Sequence, residues 1–287
     1  MSIVMRVPGA GELGGVVRSL GEWQEEGGPV QLHPGDVGWF CRYGPERAAA
    51  ALRTWGRGGE VLAVGLLDGA DVLRMAIAPA AVGDAALARQ VVADVVAPEH
   101  GVFGEGKVCV EVRAGELVPE LLLERGWERD EPWAPFRGDL GGAVPDPGVR
   151  IEVAGPEQAE EWAAVVRSAF NGSTFSADRW HAMAAEPPYA DARSLLARNE
   201  EGEAVAAVAV WSAGPGRPGL IEPMGVHRDQ RRRGYGKAIT HAAAGALRDM
   251  GSSSVTVCTP SSNTPAVAAY RAAGLTSLPA DRDLCRR

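Results

Sequence analysis

The densest run of residues able to do chemistry is Met224-Gly-Val-His-Arg-Asp-Gln-Arg-Arg-Arg-Gly-Tyr-Gly-Lys237. Cations at Arg231, Arg232, Arg233 and Lys237 surround two glycines, Gly234 and Gly236, with Tyr235 between them. Before this run, Leu220 and Ile221 begin an apolar stretch suited to a buried strand. After it, Ile239, Ala242, Ala243, Ala246, Leu247 and Met250 recur on one helix face. A strand therefore delivers a turn rich in Gly and Arg onto a helix N-terminus. Such a turn binds anions: first-turn N–H groups lack intrahelical partners, glycine lets the backbone approach a ligand, and the cations add net charge.

The elements that position this turn repeat along the chain. The first half reads as a helix over 12–23, a turn at Pro34-Gly35 entering a strand through Val37, Trp39 and Phe40, and a helix from Pro45 to Trp55. Strands over 60–67 and 71–77 join at Asp68-Gly69. Asp84 is placed to cap a helix with Leu87, Val91, Val92 and Val95 on one stripe, followed by a strand at 107–112 and a helix at 116–124 closed by Gly126. Glycine and proline dominate 137–148, the composition of a linker. The second half repeats the order: a strand at 151–153, helices opening at Pro156 and Ser176, strands at 194–198, 204–211 and 254–259, and a helix from Pro265 to Gly274. The expectation is an α/β tandem of one fold, residues 1–140 and 149–287, with the anion-binding turn only in the second copy. In the first copy the equivalent position is Pro79-Ala-Ala-Val-Gly-Asp84, without a cation.

Twenty-nine basic and 37 acidic residues leave a net charge of −8, which argues against a general nucleic-acid or acidic-membrane binder and makes the arginine cluster a local feature for one phosphorylated ligand. Cys41, Cys109, Cys258 and Cys285 lie far apart, so neither a zinc site nor a disulfide framework is expected, and a reducing cytoplasm fits. His33, His100, His181 and His241 show no metal-ligand spacing. No apolar run approaches the roughly 18–20 residues that span a bilayer, and no secretory signal is recognised.

A Walker A loop needs a hydroxyl after the lysine, but Ala238 follows Lys237, and a dinucleotide fingerprint is equally absent. Arg231-Arg232-Arg233-Gly234-Tyr235-Gly236 instead resembles the R/Q-x-x-G-x-G/A signature of the GCN5-related N-acetyltransferase (GNAT) superfamily. Downstream, Asn263-Thr-Pro-Ala266-Val-Ala-Ala-Tyr270-Arg-Ala-Ala-Gly274-Leu275 resembles that superfamily's N-x-x-A-x-x-x-Y-x-x-x-G-F/L pattern. The two patterns occur in the family's order, with a strand and a helix between them. The detailed resemblance runs from about Arg150 to the end. The first half is similar by layout alone, as in tandem proteins of the mycothiol synthase group, and is read as a degenerate copy supplying packing and one wall of the substrate groove.

The resemblance implies acetyl-CoA as cofactor and direct attack by a primary amine of a small molecule or protein. Backbone N–H groups from Arg231 to Lys237 would cradle its pyrophosphate, with Arg228, Arg232 and Lys237 as candidates for ion pairing. The pantetheine arm would enter between the strand carrying Met224, Gly225 and Val226 and the strand at 254–259. There the Val226 N–H would stabilise an oxyanion, a term of about 3 kcal/mol in other enzymes. Tyr270 would protonate the departing thiolate, and the Asn263 amide would bond to the cofactor arm. A base is needed to deprotonate the amine. Glu222 is the first candidate and His227 the next by its ordinary pKa. Strand alternation puts Glu222, Met224 and Val226 on one side and Ile221, Pro223 and Gly225 on the other, with the groove side open. The segment 171–189 would wall the acceptor site, and its Phe175, Trp180 and Tyr189 beside Asp178 and Glu186 suit an apolar molecule carrying one amine. Trp162, Phe170, Trp180 and Trp211 are expected in the core. A non-catalytic acyl-CoA-binding regulatory protein is the alternative, and monomer and homodimer both stay open.

Overall fold

The structure, a computed structural model, describes residues 2–286. In chain order the first half forms β1 (Val4–Arg6), α1 (Leu13–Glu22), α2 (Pro34–Phe40), α3 (Pro45–Ala51), β2 (Leu52–Arg57), β3 (Glu60–Leu67), β4 (Val72–Ile77), α4 (Ala85–Val96), β5 (Val108–Val112), α5 (Leu117–Glu124) and β6 (Glu128–Asp139). The second half forms β7 (Arg150–Val153), α6 (Ala159–Ala169), α7 (Ala177–Ala184), β8 (Ala192–Arg198), β9 (Ala204–Trp211), β10 (Gly219–Val226), α8 (Tyr235–Asp249), β11 (Ser254–Pro260), α9 (Thr264–Ala272), β12 (Thr276–Ser277) and β13 (Asp281–Arg286). Helices and a mixed sheet make an α/β fold. Among the described residues no helix is long and apolar enough to cross a membrane.

The chain divides into two compact units that exchange segments. One comprises Met1–His33, Pro45–Trp133 and Ala280–Arg287, the other Pro34–Gly44 and Ala134–Pro279. In the first unit β2, β3 and β4 are successively antiparallel, and β5 joins β4 in parallel. In the second, β8, β9 and β10 repeat that sense and β11 joins β10 in parallel. The helix after each parallel strand ends alike. Gly126 and Gly274 take left-handed φ values of 81° and 86°, and Trp127 N–H and Leu275 N–H donate back to Leu122 and Tyr270 carbonyls. Glycine meets no Cβ penalty in that conformation, so it stops both helices.

Three expectations change in the structure. Residues 34–43 are helical rather than a strand, with α2 running into a short 3-10 turn at Cys41–Tyr43. The helix is buried on nearly every side, so no 3.6-residue polar stripe betrays it. Gly38 permits its approach, because a Cβ there would lie 2.3 Å from the Trp211 ring. The helix expected over 45–55 stops at Ala51, and Leu52–Arg57 is strand, with Trp55 fully buried and its indole N–H donating to Asp94 at 2.8 Å. Cys109 and Cys285 form a disulfide across 176 residues of sequence, which overturns the expectation of no bridge. Spacing could not reveal it, since β13 returns to the first unit and pairs antiparallel with β5 and with the Glu128–Trp133 half of β6.

The second unit's core has a layer on each sheet face. On one, Ile221, Ile239, Ala243, Leu247, Val255, Val257 and Tyr270 pack with Val208 and Val210. On the other, Trp162, Val166, Phe175, Trp180 and Met183 pack with Ala207, Ala209 and Trp211.

Because the Cys109–Cys285 bridge ties β13 to β5, its loss should release the closing strand. Cys109→Ser, or wild-type protein under dithiothreitol, should lose about 2–4 kcal/mol in denaturant unfolding relative to the oxidised wild type. Coincident unfolding curves for all three would mean that the bridge contributes no stability.

Candidate active site

Strands β10 and β11 pair at Gly219 with Val255 and at Leu220 with Thr256, and nowhere beyond. From Ile221 onward β10 stays with β9 alone, opening a gap on its β11 side. Backbone alternation fixes what faces that gap. His227 N–H donates to Val205 C=O at 2.8 Å and Val226 lies opposite Ala206, so Val226 occupies a non-hydrogen-bonded position of the β9–β10 ladder. Its N–H therefore points away from β9, into the gap.

A bulge in β10 sets the facing of Glu222. Ile221 pairs with Val210 but Met224 pairs with Val208, so β10 holds one residue more than β9 over this span. Pro223, which has no N–H to donate, sits in the bulge, the Glu222–Pro223 peptide is cis, and Trp211 Nε1 donates to the Glu222 carbonyl at 2.7 Å. The expected alternation is corrected accordingly. Ile221, Met224 and Val226 pack on the α8 face, whereas Gly225 faces α6, where a Cβ would lie 2.5 Å from Ala169 Cβ. Glu222 and Pro223 line a cavity of about 320 Å³ on that same side.

The turn after β10 leaves its amides open. His227 caps a short 3-10 turn at Arg228–Gln230, accepting from Asp229 N–H, so it serves the turn's geometry. Arg232 then adopts φ 62°, a left-handed conformation that costs an ordinary residue roughly 1–2 kcal/mol. Gly234 follows at φ 86° as the N-cap of α8, offering no side-chain cap. Among the described residues no protein group accepts from the N–H of any residue over 231–237; the first helical bond is Ala238 N–H to Gly234 C=O. Gly236 fits closely here, since a Cβ would lie 3.2 Å from Ala269 Cβ.

The cations divide into two sets. Arg228 donates to Ser168 C=O at 3.2 Å and Arg231 to Ala169 C=O at 2.8 Å, both capping the C-terminal end of α6. Arg228, expected at the phosphates, is thus occupied elsewhere. Arg232, Arg233 and Lys237 are exposed and bonded to no protein carboxylate among the described residues. The first unit contrasts at the same place: the Asp84 carboxylate accepts from Ala86 and Leu87 N–H at 2.9 and 3.0 Å and pairs with Arg57 at 2.7 Å. A protein anion already fills that helix end. The hydrogen bond from Leu87 N–H, opposed by desolvation and joined by those from Arg57 and Ala86 N–H and by the Arg57 charge, holds the Asp84 carboxyl below the usual range.

Tyr270 is buried on α9 with its ring 5.5 Å from Phe136. Burial, and then the negative charges of Glu222 and Cys258, push its phenol well above the ordinary tyrosine value, so it remains a proton donor at neutral pH. Asn263 caps α9, accepting from Ala266 N–H at 3.4 Å and donating to Thr259 Oγ1 at 3.1 Å. The side chain that the family resemblance assigns to the cofactor arm also fixes the β11–α9 turn.

Sequence reasoning missed one contributor to the cavity. Trp39, Arg42 and Tyr43, from the α2 segment, line it together with Phe170, Phe175 and Arg179. The aromatic run Trp39-Phe-Cys-Arg-Tyr43, with its single arginine, was visible but lay in the half read as degenerate. Trp162, Trp180 and Trp211 are core residues as expected, whereas Phe170 is 42% exposed. Tyr189 donates to Ser194 Oγ at 2.8 Å, and neither Asp178 nor Glu186 lines the cavity.

Uncapped amides with left-handed backbone, three exposed cations and a gap with an inward N–H thus lie along β10 and the turn that follows it, an arrangement able to receive an anion. Gly225→Ala should drive a methyl into Ala169 and the Phe170 ring, destabilising the protein by about 1–3 kcal/mol in urea unfolding; an unchanged midpoint would contradict the packing of α6 on β10.

Residues 158–275 match the acetyltransferase (GNAT) family. No curated protein sequence matches the chain. Among solved structures, the chain is similar to an acetyltransferase from the GNAT family of Colwellia psychrerythraea (13% identity, 100% of each chain covered, TM-score 0.62). It is also similar to a GCN5-related N-acetyltransferase of Sphaerobacter thermophilus (19% identity, 99% of this chain and 95% of that one, TM-score 0.59). A third similar structure is a tandem GNAT protein from the clavulanic acid biosynthesis pathway (16% identity, 99% and 98% covered, TM-score 0.58). At these identities the likeness is one of fold. The open turn and the strand gap both lie within the segment 158–275 that matches the acetyltransferase (GNAT) family.

Proposed function

We propose that the second unit is an acetyl-CoA-dependent N-acetyltransferase acting on a primary amine, and that the first unit is a copy of the same fold without a cofactor site. One observation carries the reading: β10 and β11 part after Leu220, and the amides over 231–237 have no acceptor among the described residues. Acetyl-CoA, when bound, supplies the activated acetyl thioester. The open amides receive its pyrophosphate, with Arg232, Arg233 and Lys237 supplying charge, while Arg228 and Arg231 hold the turn against α6. Val226 N–H donates into the gap, where an acyl oxygen gains negative charge. Glu222, on the cavity side of the bulge, takes the proton from the attacking amine. Tyr270 keeps its proton across the neutral range and delivers it to sulfur. The Asp84 carboxylate at the first unit's helix end repels what the second unit's turn attracts, which supports assigning the chemistry to one unit.

The isolated protein should bind CoA with micromolar Kd by calorimetry and release free thiol from acetyl-CoA only when an amine is supplied; absence of CoA binding refutes the reading. Tyr270→Phe should lower turnover by about 10²-fold, the scale of general-acid catalysis, with CoA affinity little changed. Equal losses in both would make Tyr270 a packing residue.

The raised phenol pKa fixes a pH dependence as well. An acid acts below its pKa, so ionisation of Tyr270 should reduce kcat only above about pH 10, the ordinary tyrosine value. A fall in kcat near pH 8 that disappears in Tyr270→Phe would contradict the assignment.

A further inference from the structure

The cavity beside Glu222 carries a charge pattern that the acyltransfer reading does not require. It belongs wholly to the second unit, and its titratable lining consists of two arginines, Arg42 and Arg179, one carboxylate, Glu222, and Tyr43. With Glu222 ionised, the walls are net positive in a chain whose overall charge is −8. A simple cationic amine in this cavity would share its walls with two guanidinium groups as well as the carboxylate.

Both guanidinium groups are held in place. Arg42 Cζ lies 4.2 Å from the Trp39 ring centroid and 4.4 Å from that of Tyr43, and its Nη1 donates to Trp39 C=O at 2.8 Å. Arg179 Cζ lies 5.3 Å from the same Tyr43 centroid, and its Nη1 donates to Thr174 Oγ1 at 2.9 Å. Arg179 forms no ion pair with a carboxylate among the described residues. Two stacked, restrained guanidinium groups facing one small space form a receptor for a planar anion, which they engage with little loss of side-chain freedom. A volume of about 320 Å³ is at the low end for small-molecule sites, so the occupant is of amino-acid size.

We infer that the acceptor is a zwitterion, an amine that also bears a carboxylate and an apolar or aromatic body. Arg42 and Arg179 bind the carboxylate, the Phe170 and Phe175 side holds the body, and the amine meets Glu222. This specificity rests on the acetyltransferase reading, but it is a property of the cavity and can be measured separately. The α2 segment, from the first half of the chain, thereby selects the substrate for the second.

The test uses the full-length protein and matched acceptors: phenylalanine, phenylalaninamide, phenethylamine and the aminophosphonate analogue of phenylalanine. Thiol release from acetyl-CoA should show kcat/KM at least tenfold higher for phenylalanine than for the amide or phenethylamine. Comparable rates with the aminophosphonate would identify a general anion requirement, and lower rates a requirement for the planar carboxylate; both keep the two arginines as the receptor. Arg179→Gln, and separately Arg42→Gln, should lower kcat/KM for phenylalanine at least tenfold more than for the amide, each variant first being checked for an unchanged melting temperature. Equal or better rates with the uncharged partners, or losses independent of the carboxylate, overturn the inference. Calorimetry in the presence of CoA, comparing N-acetylphenylalanine with its amide, reads the same preference without turnover. Carboxylate-selective binding with no thiol release for any amine would sustain the cavity's specificity and refute the transferase reading. Binding without selectivity would refute the specificity alone.

Discussion

Two neighbouring strands that separate after two paired positions govern the rest of the second unit. A parallel pair normally satisfies its backbone along its length, so a gap between β10 and β11 leaves polar groups that only an incoming chain or solvent can satisfy. The gap is held from its flanks. On one side, the bulge at Glu222-Pro223, anchored by the Trp211 indole, sets the path of β10. On the other, the cap at Asn263 and the hydrogen bond to Thr259 turn β11 into α9. The open turn before α8 lies at the end of the same strand, so anion site and gap follow from one stretch of backbone.

The first unit differs at the corresponding strand pair and helix end. There β4 and β5 stay paired over four positions, Val72 through Met75 with Cys109 through Val112, where the second unit has two. The helix that follows begins at Asp84, whose carboxylate occupies the amides and is itself neutralised by Arg57. A capped helix is the more stable one, by about 1 kcal/mol for a good N-cap. The second unit forgoes that cap at Gly234 and also tolerates a left-handed Arg232, two local costs that ordinary folding would remove.

The turn was legible in the sequence because glycines, cations and a helix stripe are local signals. The stripe over Leu87, Val91, Val92 and Val95 and the strands around Asp68-Gly69 were legible for the same reason. What escaped was set by tertiary contact. A helix buried on nearly every side, such as α2, has no polar face to reveal its period, and its Gly38 reflects the ring of Trp211, far away in sequence. The face of Glu222 could not follow from alternation, because one extra residue in β10 shifts the pattern and no composition marks a bulge. Arg228 and Arg231 resembled their neighbours until the carbonyls ending α6 were in view.

The placement of β13 bears on how the chain is made. Synthesis proceeds from the N-terminus, yet the sheet containing β5 and the start of β6 is completed by residues 281–286, which emerge after the whole second unit. At roughly 5–20 residues per second the earlier unit stays unfinished on the ribosome for an interval on the order of ten seconds. Throughout that time it offers bare strand edges to any chaperone or stray strand nearby. The half translated first is thus the half that matures last.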